Sequence, residues 1–182
     1  MKKLAIAASL TAVLGSVSLA QAASTGTITF SGELTANTCD VVVDDQAADA
    51  TVVLPTVSIN QLDAPTKTAG RTGFNMILSN CQGALKTASA FFEAGTSVDL
   101  ATGRLKNMAS GGATNVSLQL RDGSSASQAV IKVGNQDQVL NTSYVSVESG
   151  SATLPYAVEY YADAATTAGT VVSNVVYSIQ YK

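Results

Sequence analysis

The odd positions from 171 to 181 read Val171, Ser173, Val175, Tyr177, Ile179 and Tyr181. The even positions from 174 onward, Asn174, Val176, Ser178 and Gln180, are mostly polar. Period two with one apolar face is the pattern of a half-buried β-strand. The alternation runs to Lys182 with no turn signal and no further strand behind it. Such a strand offers unpaired N–H and C=O groups and an apolar face to any other strand. The expectation is therefore an edge strand that something else must cover.

A second alternating run lies near the front. Met1, Lys2 and Lys3 make a positive start, residues 4–20 are apolar and rich in Ala and Ser, and Ala20-Gln21-Ala22 is a small-x-small cleavage site. This reads as a secretory signal over residues 1–22 rather than a membrane anchor, for which the run is short. Behind it, Ile28, Phe30, Gly32 and Leu34 share one face of an extended segment, and Thr27, Thr29, Ser31 and Glu33 share the other. Only Ala23, Ser24 and Thr25 separate this segment, residues 26–34, from the predicted cleavage point.

Without the signal 160 residues remain, enough for one domain with its own core. Loss of Lys2 and Lys3 leaves 8 basic residues against 13 acidic, a net charge near −5. An acidic chain with sparse positive charge argues against nucleic acid as a partner. The chain has no histidine, so the commonest general base and metal ligand is missing. The only two cysteines are Cys39 and Cys81. In an exported protein such a pair most simply forms one structural disulfide. A redox or metal role is the sharper alternative, which the wide spacing and the missing histidine disfavour.

Short alternating segments fill the middle of the chain: residues 41–43, 51–54 ending at Pro55, 74–78, 90–92, 115–120, 129–133, 144–147 and 152–161. Phe74, Met76 and Leu78 share a face, as do Val116, Leu118 and Leu120. Gly111-Gly112, Asp122-Gly123, Gly134-Asn135 and Ser149-Gly150 punctuate them as turns, and residues 101–112 read as a loop. Many short strands with such punctuation predict an all-β sandwich in a single domain.

Nothing converges on catalysis or a cofactor. Asp44, Asp45 and Asp49 lack the ligand spacing of a calcium loop and read as a solvated turn. The serines have no Gly-x-Ser-x-Gly elbow and no histidine partner. Asn115-Val116-Ser117 and Asn141-Thr142-Ser143 match the N-glycan acceptor pattern, which is common by chance. Tyr160-Tyr161 reads as one buried and one surface ring rather than a ligand patch. The expectation is a protein that is not an enzyme, with no cofactor, no metal site and no catalytic residue.

Four blocks in order resemble the major subunits of type 1-like fimbriae, which are built by the chaperone–usher pathway. They are Gly26-x-Ile28-x-Phe30-x-Gly32-x-Leu34 followed by Cys39; Gly73-Phe74-Asn75-Met76-Ile77-Leu78-Ser79-Asn80-Cys81; Ala113-Thr114-Asn115-Val116 with Gln119, Leu120 and Asp122; and Gly169, fourteenth from the end, with the penultimate Tyr181. The resemblance covers essentially the whole chain behind the signal. It departs in one respect, since many relatives carry a longer extension before the first block.

The resemblance implies an incomplete immunoglobulin-like β-sandwich lacking its last strand and completed by donor-strand exchange. Residues 23–38 would be the donor extension and residues 39–182 the pilin domain. Ile28, Phe30, Gly32 and Leu34 would be the donor positions. Gly169, Val171, Val175, Tyr177, Ile179 and Tyr181 would mark the acceptor strand that a periplasmic chaperone first pairs with. At the outer-membrane usher, the next subunit's donor segment would replace the chaperone, giving a homopolymer that serves adhesion at the cell surface. A minor adaptor or terminating subunit is the nearest alternative. A self-contained secreted carbohydrate-binding module, with residues 28–34 folded back on the last strand, is the alternative from another class.

Overall fold

The computed structural model describes residues 26–34, 36 and 38–182. The predicted export signal lies outside the described residues. The chain divides between Leu34 and Thr35 into a front segment and a body. Residues 26–34 carry no regular secondary structure. Their apolar side chains are exposed: Ile28 by 77%, Phe30 by 90% and Leu34 by 101%.

The body is built almost entirely from strands: β1 (Thr38–Val43), β2 (Thr68–Gln82), β3 (Thr87–Phe92), β4 (Val98–Asp99), β5 (Arg104–Lys106), β6 (Val116–Asp122), β7 (Val130–Ile131), β8 (Val145–Ser146), β9 (Ala152–Ala162) and β10 (Tyr177–Tyr181). The larger sheet runs β1-β2-β9-β6-β5-β4, with β7 also paired to β6. The smaller sheet runs β10-β3-β8. All described pairings are antiparallel.

Period two explains the core. Phe74, Met76 and Leu78 of β2, Leu154, Tyr156 and Val158 of β9, and Leu118 and Leu120 of β6 are buried in three adjacent rows. Ala88, Ala90 and Phe92 of β3 belong to the same core cluster. The two alanines leave room for Tyr156, whose ring meets Phe92 edge-on at 5.1 Å. Its hydroxyl accepts from the Ala90 N–H at 2.9 Å, so the buried polar end is satisfied. Burial raises the Tyr156 phenol above its ordinary value.

The other face of the larger sheet holds a buried charge. Glu159, 1% exposed, accepts from Arg71 at 2.7 Å, Arg121 at 2.6 Å and Gln119 at 2.9 Å. Burial works against its ionised form, but the bonds from Arg121, Arg71 and Gln119 outweigh it and hold the carboxyl below its ordinary value.

Three sequence expectations need correction. The stretch 101–112 is not wholly a loop, because β5 lies within it and pairs with β6 through Leu105 and Lys106. Tyr160 and Tyr161 are both half-buried, and Tyr161 lies under the Arg104 guanidinium at 3.9 Å. The pattern also passed over a 3-10 turn (Ile59–Leu62) and a five-residue helix α1 (Asp137–Asn141), both shorter than any helical period can reveal.

Candidate functional site

β10 ends the path of the smaller sheet and, among the described residues, pairs with β3 alone. The odd positions of residues 171–181 are all half-buried and the even ones exposed, except Gln180, which is half-buried too. Val171, Val175, Tyr177, Ile179 and Tyr181 all pack against the core. Ladder pairing, however, covers only Tyr177–Tyr181, less than the eleven-residue strand expected. The reason is local. β3 ends at Phe92, and the last rung runs from the Glu93 N–H to the Val176 carbonyl at 2.8 Å.

Beyond that rung, other groups hold the same edge. The Asn174 carbonyl accepts from Ser97 Oγ at 2.6 Å. The Val172 N–H donates to Asn107 Oδ1 at 2.9 Å, and the Val172 carbonyl accepts from the Met108 N–H at 2.7 Å. At the far end Lys182 exchanges both backbone bonds with Thr87. Every one of these backbone partners belongs to an even-numbered residue. In an extended strand, successive residues point their N–H and C=O groups to opposite edges. Residues 171, 173, 175, 177, 179 and 181 therefore present theirs to the vacant side.

A second chain segment faces that vacancy. After β1 the chain turns, with Val43 and Ala47 bridged. The Gln46 side chain bonds both the N–H and the carbonyl of Thr51, each at 3.1 Å. Residues 51–57 then run without any assigned strand. Val52 and Leu54 pack against the core, and Val53 is 79% exposed. Among the described residues, no backbone–backbone bond involves 52–57.

Between the two segments lies a groove of about 440 Å³, lined by Val52 and Leu54 on one side and Ser173, Val175 and Tyr177 on the other. Its floor includes Phe74, Met76, Phe92, Leu118, Leu120 and Val158, the core itself. The interior of the sandwich opens sideways here. Ser173 Oγ is buried with no hydrogen-bond partner. Tyr177 reaches the other wall, its hydroxyl donating to the Ala48 carbonyl at 2.8 Å.

Each end of the last segment is fixed. Cys39 and Cys81 form a disulfide, joining the start of β1 to the end of β2. Tyr181 lines a small cavity with both cysteines. Burial raises its phenol, against a hydrogen bond from the Cys39 backbone. At the other end, a Cβ on Gly169 would fall on the backbone of Gly112 and Ala113, and one on Gly112 would fall on the Thr170 carbonyl. The requirement at Gly169 is closeness of two chain segments. The positions expected to form a donor strand, Ile28, Phe30, Gly32 and Leu34, lie in the front segment, and a Cβ at Gly32 would meet nothing within 4 Å.

Among the described residues, this apolar floor thus lies between two stretches, 52–57 and the odd positions of 171–181, whose backbone groups have no ladder partner. The family model for FimA, described as type-1 fimbrial protein A, matches residues 54–182. The major fimbrial subunit SMF-1 of Stenotrophomonas maltophilia is 42% identical over 171 residues, covering 93% of this chain and 99% of that one. The chain belongs to the type-1 fimbrial protein family.

The F17 fimbrial protein of Escherichia coli is a further relative, 37% identical over 180 residues, which cover 93% of this chain and 97% of its own. Among solved structures the P pilus rod subunit PapA matches with a TM-score of 0.60 at 16% identity, covering 79% of this chain and 99% of PapA. A chaperone–usher pilus structure matches with the same TM-score at 18% identity, covering 89% and 98%. These likenesses give the fold, an immunoglobulin-like sandwich without its last strand. By family membership the fimbrial protein is a structural pilus subunit. Four features that border its groove are absent from the sequence reading: the supports Gln46, Ser97 and Asn107, and the segment 51–57 as a wall. A lone amide or hydroxyl in a loop carries no periodic signal; the wall was visible only as a short alternating run.

Proposed function

We propose that the fimbrial protein polymerises head to tail, with residues 26–34 of one copy lying as a strand in the groove of the next. The observation that carries this is the match of two unfinished halves. One is an exposed segment whose alternation would set Ile28, Phe30 and Leu34 on a single face of a strand. The other is a core-floored groove with an open backbone row on each side. β-Strand addition joins such halves, the backbone giving affinity and alternate side chains giving register. Because donor and acceptor are different surfaces, the contact is heterologous and propagates into a filament.

On this reading residues 1–22 direct export, residues 23–38 are the donor extension and residues 39–182 are the acceptor domain. A periplasmic chaperone pairs first along residues 171–181 and shields the groove. At an outer-membrane usher the incoming donor segment displaces it. The product is a surface fimbria that serves adhesion, and the role is structural rather than catalytic. Possession of both donor and acceptor favours a chain-extending subunit over a terminating one.

The test is Phe30→Arg in cells that make the fimbria. The expected result is soluble subunit held by the chaperone and no polymer on the cell surface. Polymer at the abundance of the unmodified protein overturns the proposal.

A further inference from the structure

We infer that Asn107 is a positioning residue for strand capture: its side chain holds residues 170–172 in the extended geometry that an incoming strand must pair with. The inference rests on the groove reading above and concerns the half of the acceptor edge that no ladder supports.

The geometry is specific. Asn107 Nδ2 donates to the carbonyls of Ala113 and Thr170, both at 2.9 Å. Its Oδ1 accepts from the N–H groups of Ala109 at 3.1 Å and Val172 at 2.9 Å. The amide thus uses its whole bonding capacity, two donors and two acceptor sites. Two of these bonds, to Thr170 and Val172, tie residues 107–113 to 170–172, and the other two, to Ala109 and Ala113, shape 107–113 itself. Two backbone bonds, Met108 N–H to Val172 and Ala113 N–H to Thr170, run beside them. The tight approach of Gly112 and Gly169 belongs to the same joint.

The chemistry explains why a side chain is needed. Residues 177–181 owe their extended form to β3, which pairs every one of them. Residues 171–175 lie past the end of β3, so Asn107 and then Ser97 take the place of the absent strand. Both act on even residues, leaving the odd groups free at the groove. Without them, ordering this half of the edge falls on the incoming strand, which loses affinity by the cost of ordering. Asn107 touches the acceptor from behind.

The experiment uses the full chain carrying Phe30→Arg, so that it cannot supply its own donor, refolded with a synthetic peptide of residues 26–34. Two quantities are read: the rate of peptide release, and hydrogen exchange along residues 171–181 of the complex. Asn107→Ala is expected to speed release about tenfold, the effect of losing a few hydrogen bonds at the joint. Amide protection falls at 171, 173 and 175 and stays at 177, 179 and 181. Asn107→Asp keeps both acceptor contacts but sets a carboxylate oxygen against the Ala113 and Thr170 carbonyls, so it is expected not to restore slow release. If Asn107→Ala does not fold, Ser97→Ala provides the same reading, with the loss centred on 173 and 175.

An unchanged release rate overturns the inference. So does a uniform loss of protection along 171–181, which marks a weakened body rather than a mispositioned edge. A Phe30→Arg chain, with Asn107 and Ser97 intact, that captures no peptide overturns the groove reading itself and the inference with it, a result distinct from either of those.

Discussion

The Tyr177 hydroxyl donates to the Ala48 carbonyl at 2.8 Å, linking the last strand to the turn after β1 across a sequence separation of 129 residues. Both residues line the groove. The bond braces the last strand against the turn after β1 at one point of the groove's rim. Tyr177→Phe is expected to lower the stability of the donor-free subunit by about 0.5–1 kcal/mol, the worth of one partly exposed hydrogen bond. A urea midpoint that falls with an unchanged slope is the expected signature. Burial, and then the negative charge of Asp49, raise the Tyr177 phenol. The bond's contribution is therefore complete below the ordinary phenol range and fades as pH rises through the raised value. In Tyr177→Phe that alkaline loss is smaller.

Glu159 controls the acid side. Its folded-state pKa is lowered, so its contribution is present above the unfolded carboxylate range and is lost as pH falls through the folded value. Glu159→Gln is expected to cost on the order of 3 kcal/mol at pH 7, because Arg121, only 19% exposed, loses its partner. The same substitution should flatten the decline of stability below about pH 4.3. Thermal unfolding of both proteins from pH 3 to pH 7 checks the two parts together.

Removing the disulfide by Cys39→Ser with Cys81→Ser is expected to destabilise the body by about 4 kcal/mol in the chain-entropy model, given the 42-residue separation. Denaturant unfolding of the double variant against the oxidised protein measures this directly. A reductant should have no further effect on the variant.

Gly169→Ala introduces a methyl group where the backbone of Gly112 and Ala113 already stands. The expected cost is about 1–3 kcal/mol, as for other overpacked sites. Hydrogen exchange should place the damage at residues 170–172, with residues 177–181 still protected.

The alternation at 171–181 was legible because half-burial of an extended segment imposes period two whether or not a ladder forms. It therefore gave the correct inward row, Val171 through Tyr181, and overestimated the paired length. The core faces of β2 and β6 followed from the same rule. Ser117 and Gln119, polar in sequence and buried in the structure, did not, because partners such as Asp163 and Glu159 come from β9 and the segment just beyond it. The far wall of the groove was seen only as four alternating residues before Pro55. Its role depends on the turn that Gln46 fixes, a tertiary arrangement that no local pattern encodes. Asn107 was hidden for the same reason, within a stretch that looked like featureless loop.

The covalent bond between Cys39 and Cys81 has a mechanical consequence for a polymer joined through its front segment. Tension applied at Leu34 enters the body within five residues, at Cys39. From there the sulfur bridge diverts it to the end of β2, a 15-residue strand paired on both flanks by β1 and β9. In a filament joined as proposed, the load thus reaches its stiffest strand without passing through the turn and wall at 44–57, and only then leaves through the groove that would hold the neighbour.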